Sequence, residues 1–126
     1  MKKILVIVLL GLSLAACKAQ PQAFVKVKSA KADRVQIESA HLLKPGYIVI
    51  REVGSGDQLG PIIGQSILYP IGTQTNVVIA VATLRSGQQY VATIREENGD
   101  FTFTEKLDPA AKNSKGQDIS TTFTAQ

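Results

Sequence analysis

From residue 24 onward, apolar and polar residues alternate in short runs, and turn residues close most of them. A period of two is what a strand with one buried face requires. Phe24-Val25-Lys26-Val27-Lys28 is the first such run, with lysines on its wet face. Lysines there discourage edge-to-edge pairing with another sheet. Arg34-Val35-Gln36-Ile37-Glu38 alternates again. The competing reading is a helix over 29–43, capped by Ser29, with Ala32, Val35 and Leu42 near one face. Val and Ile at period two favour the strand.

Lys44-Pro45-Gly46 is a turn, and 47–53 is a strand rich in aromatic and β-branched residues. Gly54-Ser55-Gly56-Asp57 closes it. The run 62–68 reads as a strand in which Gly64 marks a bulge, and Tyr69-Pro70-Ile71-Gly72 breaks it. The run 76–84 is apolar on both faces, which predicts a central strand covered on both sides. After the turn Arg85-Ser86-Gly87, Tyr90, Ala92 and Ile94 share a face of 89–95. Tyr47 and Tyr90 are expected in the core. Asn98-Gly99 predicts a type I′ hairpin leading into Phe101 and Phe103. A polar loop over 107–117 precedes a last strand, 119–125, with Ile119, Thr121 and Phe123 on one side. About seven to eight strands without a convincing helix imply an all-β, immunoglobulin-like antiparallel β-sandwich. One cysteine and no tryptophan exclude an antibody-type core.

Ahead of the strands lies a different kind of segment. Met1-Lys2-Lys3 and an apolar run beginning at Ile4 lead to Leu14-Ala15-Ala16-Cys17. This resembles a bacterial lipoprotein signal peptide with its lipobox. Residues 4–16 fall short of the roughly 20 apolar residues a spanning helix needs. The resemblance implies a signal peptide over 1–16, a lipidated Cys17 with a tether over 17–23, and a sandwich domain over 24–126. Cys17 is the sole cysteine, so it has no disulfide partner within the chain. Two acyl chains anchor a protein stably where a single chain binds marginally. Lys18, rather than an inner-membrane-retaining Asp, would permit passage to the outer membrane of a diderm source.

The full chain carries 14 basic and 10 acidic residues. Cleavage would remove Lys2 and Lys3 and leave a net charge of +2. Residues 18–34 hold Lys18, Lys26, Lys28, Lys31 and Arg34 against Asp33, while 35–126 is slightly acidic. The basic segment is read as a solvated tether and edge strand; it would also suit anionic headgroups. No basic face interleaved with aromatics points to nucleic acid.

Further segments resemble an uncharacterised family of immunoglobulin- or cupredoxin-like domains in archaeal and bacterial surface proteins. They are Pro45-Gly46-Tyr47-Ile48-Val49-Ile50-Arg51-Glu52, Gly60-Pro61-Ile62-Ile63-Gly64-Gln65-Ser66, Tyr90-Val91-Ala92-Thr93-Ile94, Asn98-Gly99-Asp100-Phe101 with Phe103, and Asp108-Pro109. The resemblance spans roughly 35–123 and implies the fold and an envelope surface. It implies no catalytic residue.

Blue copper needs two His, a Cys thiolate and usually a Met. His41, Cys17 and Met1 are the only residues of their types, and Cys17 and Met1 are lost to lipidation and cleavage on the reading above. No cofactor is therefore expected. The best candidate for a metal is the acidic stretch around 96–108, where Glu96, Asn98, Asp100 and Asp108 offer oxygens to calcium. The EF-hand spacing is not met, and solvated charges on a hairpin tip are the simpler reading. A hydrolase would have to use His41 with Ser39, and no nucleophile elbow supports that pair. Tyr69, beside Pro70 in a loop, is the nominee for partner contact. The expectation is a lipid-anchored, non-enzymatic envelope module that meets the membrane through Cys17 and an envelope protein or extracellular ligand through its loops or edges. A weak calcium-binding module is the alternative, and an enzyme a distant third.

Overall fold

The computed structural model describes residues 22–54, 59–100 and 108–126. The signal-peptide and Cys17 readings, the turn at 55–57, and Phe101 and Phe103 lie outside them. Seven strands follow in order: β1 Phe24–Lys31, β2 Arg34–Leu42, β3 Gly46–Val53, β4 Leu59–Gln65, β5 Gly72–Ala80, β6 Gln89–Glu96 and β7 Ser120–Thr124. The 29–43 region is thus two strands and not a helix. They form two antiparallel sheets, one ordered β1-β2-β5 and the other β4-β3-β6-β7. This is a β-sandwich with immunoglobulin-like strand order.

The inner faces meet in one core. The first sheet contributes Val25, Ala30, Val35, Ile37, Ala40, Leu42, Val77 and Ile79; the second contributes Ile48, Ile50, Tyr90, Ala92 and Ile94. Tyr90 also closes the β5–β6 connection, where its hydroxyl accepts the Arg85 amide at 2.9 Å. That is the tyrosine corner of such sandwiches. Thr121 Oγ1 of β7 donates to the Val25 carbonyl of β1 at 2.6 Å and ties the two sheets along one side.

β2 changes phase along its length. Val35 and Ile37 point inward, and then so do Ala40 and Leu42. Glu38 is the extra residue, because Ile37 and Ser39 both have partners on each neighbouring strand while Glu38 has none. Opposite it, Asn76 of β5 takes a left-handed φ of 53°, a conformation Asn tolerates better than most residues. The bulge keeps both ends of β2 amphipathic toward the same core.

Three expectations are corrected. The strand at 76–84 is not central: β5 spans Gly72–Ala80, lies at a sheet edge, and leaves Val78 56% exposed. The strands buried on both faces are β3 and β6. Tyr47, Val49, Val91 and Thr93 are buried on the face turned away from the main core. Tyr47 is therefore buried as expected but outside the main core. The Asn98-Gly99 turn is not type I′, since Gly99 has φ 106° and Asn98 does not take positive φ. Gly64 does sit beside a bulge, because Ile50 pairs with Gly64 and Arg51 with Ile62. A Cβ there would stand 2.6 Å from the Ala80 carbonyl oxygen and from Val81 Cγ1, so the bare backbone lets β4 approach the other sheet.

Candidate functional site

Three connections gather at one end of the sandwich: 43–45 between β2 and β3, 66–71 between β4 and β5, and, between β6 and β7, the described residues 97–100 and 108–119. The start of β1 lies there too, since Phe24 pairs with His41 and Leu42 with Gly72. Exchanged amide bonds between Gly46 and Tyr69 at 3.0 and 2.8 Å fasten the second connection to β3. Ser66 extends β4, exchanging bonds with Ile48 through its amide and its buried hydroxyl.

The acidic residues converge at this end. Ligand oxygens of Glu97, Asp100 and Asp108 lie within 4.8 Å of one another. Glu96 is not among them: its amide donates to the Pro109 carbonyl at 2.7 Å. Neighbouring side chains at a strand end point opposite ways, so only one of Glu96 and Glu97 can face the group. The order of the loop comes from Asp108, which is fully buried. Its Oδ1 accepts the Asn98 amide at 3.0 Å, Arg95 Nε donates to its carbonyl at 2.8 Å, and Asn98 Oδ1 accepts the Asp100 amide at 3.2 Å. Asn98 thus turns the chain by a side-chain-to-backbone bond.

Tyr47 underlies the cluster. Its hydroxyl donates to Glu97 Oε1 at 3.2 Å. Its pKa is pushed up to about 12, first by burial, then by the bond to Glu97, with the charges of Glu97, Asp108 and Asp100 adding. A phenol held neutral beside carboxylates is a donor that fixes one of them. The sequence marks Tyr47 as a core residue and gives no sign of this role, because pairing it with Glu97 takes strands fifty residues apart.

The other candidates are dispersed. His41 stacks on Phe24 with centroids 6.1 Å apart, and its Nδ1 lies 2.8 Å from Thr73 Oγ1 rather than engaging Ser39. Tyr69 is half-buried against the core.

Residues 22–126 match a family model described as a domain of unknown function, DUF7282. The chain belongs to the DUF7282 family. No curated protein and no solved structure matches it. A family without a stated function, built here as an all-β body, agrees with the coarser part of the resemblance drawn from the sequence.

Proposed function

We propose that this DUF7282 protein is a lipid-anchored module of a bacterial cell envelope that braces or binds another envelope component and catalyses no reaction. The observation that carries the reading is the lipobox-like Leu14-Ala15-Ala16-Cys17, with the sole cysteine seven residues before β1 begins at Phe24. Cleavage and acylation there would hang the sandwich from the membrane by its first strand. With Lys18 after the cysteine, a diderm host would carry it to the outer membrane. Fractionation of cells making the full chain tests this. The wild type is expected in the membrane fraction and released by detergent, and Cys17→Ser in the soluble fraction or as uncleaved precursor. Equal partitioning of the two would end the reading.

A second reading has an observation of its own, the convergence of Glu97, Asp100 and Asp108. Three converging carboxylates suit a weak calcium site of the extracellular type. Glu97 replaces Glu96 in that set. Calcium at about one hundred times its Kd stabilises a protein by about 2.7 kcal/mol, several degrees in melting temperature for a domain of this size. The rise is expected with calcium, not magnesium, and is expected to vanish in Glu97→Gln. A melting temperature indifferent to calcium and EDTA rules the site out.

A further inference from the structure

Six large apolar side chains are well exposed among the described residues, and four of them crowd the end from which β1 emerges. Ile67 is 73% exposed, Ile71 63%, Leu43 48% and Phe24 43%; Leu59 lies at the opposite end and Val78 on the outer face of β5. Topology brings the four together. Leu43 follows Leu42, which pairs with Gly72, and Ile71 precedes that glycine. Ile67 and Ile71 flank the Tyr69 that bonds Gly46. A groove of about 310 Å³ opens beside Leu43, where Ala23 and Ile119 complete its apolar wall.

We infer that this end docks on the bilayer that carries the anchor, with Leu43, Ile67 and Ile71 entering the boundary between headgroups and acyl chains. The inference rests on the anchoring reading above. Six residues, 18–23, separate Cys17 from Phe24, so the tether of seven Cα-to-Cα steps reaches at most about 25 Å and keeps this end near the lipid. An apolar tip held that close is covered by the membrane before any diffusing partner reaches it. Charge does not drive the contact. Lys44, Lys112 and Lys115 stand at the same end as Glu97, Asp100, Asp108 and Asp118, and Lys112 is paired with Asp118, so the described side chains there leave no positive excess. Docking should therefore persist on uncharged phosphatidylcholine and at high salt.

The chain has no tryptophan, so Ile71→Trp and Leu59→Trp each supply one reporter at opposite ends. The full chain is made with its lipid, the acylation is checked by mass, and the protein is reconstituted into phosphatidylcholine vesicles with brominated acyl chains. Ile71→Trp emission is expected to shift to shorter wavelength and to be quenched roughly twofold or more, because an interfacial side chain sits about 5–10 Å into the boundary. Leu59→Trp should be unaffected, and 1 M salt should change neither, since it shrinks the screening length to about 3 Å. Flotation of acylated protein with neither reporter quenched, or both quenched alike, overturns the docking while the anchor stands. A blue shift of Ile71→Trp that needs no lipid and grows with protein concentration assigns the patch to a second copy and also overturns it. Unacylated protein that does not float removes both readings.

Discussion

At the scale of single residues, two polar groups on the outer side of β3 and β6 decide measurable outcomes. Thr93 is 4% exposed, and its Oγ1 has no hydrogen-bond partner among the described residues. An orphaned buried hydroxyl costs about 1–3 kcal/mol relative to a paired one. Thr93→Val keeps the β-branched shape and removes the orphan. Urea unfolding should show it more stable than the wild type by about 1 kcal/mol; a loss of stability would mean the hydroxyl has a partner. Tyr47 carries the second. Its folded-state pKa of about 12 exceeds the unfolded value near 10. The unfolded chain therefore loses this proton first as pH rises. The stabilisation is whole below about pH 10 and is lost as pH rises toward 12. Tyr47→Phe cannot ionise, so its stability should fall less than the wild type's across that window. Parallel curves for the two proteins would contradict the assignment.

At the scale of elements, alternation located the strands, and bulges set what alternation could not. β1, β2, β6 and β7 were legible from period-two runs and β3 from its aromatic and β-branched residues, and Tyr90, Ala92 and Ile94 share the inner face as alternation requires. The switch in β2 was not legible. Nothing local marks Glu38 as the residue left out of the strand register, because the mark is Asn76 on another strand. The β1–β2 turn was hidden for a similar reason. It is the pair Ala32-Asp33, with Ala32 at φ 57° where glycine is the usual signal. The apolar run 76–84 misled because burial on two faces depends on a strand's place in the sheet, and β5 fell at an edge. Gly64 was legible as a bulge, and its second reason, contact with Ala80 and Val81, needed the opposite sheet. Gly64→Ala should lower stability by about 1–3 kcal/mol, the range for overpacking, because backbone as well as side chain must move. A change within about 0.5 kcal/mol, the range of an ordinary surface substitution, would show that the sheets separate freely there.

At the scale of the whole molecule, the sandwich has two unlike ends. The end holding the β1–β2 turn and the C-terminus is closed by backbone bonds, such as Gln126 to Ala30 at 2.9 Å and Val81 to Asp33 at 2.9 Å. The other end collects the long connections, the acidic group, the exposed isoleucines and the start of the domain. The sequence named Asp100 and Asp108 for the acidic group but took Glu96 for Glu97, since side-chain direction at the end of β6 is fixed only once the strand ends. It singled out Tyr69 and gave no reason to prefer Ile67 or Ile71 beside it. What the sequence supplies alone is the lipobox-like segment, and the proposed anchor depends on it. The intact mass of the protein extracted from the membrane fraction tests that most directly. The account predicts a chain beginning at Cys17 whose mass exceeds that of residues 17–126 by two or three acyl chains and a glycerol. A chain retaining Met1, or one beginning elsewhere with Cys17 unmodified, would contradict it.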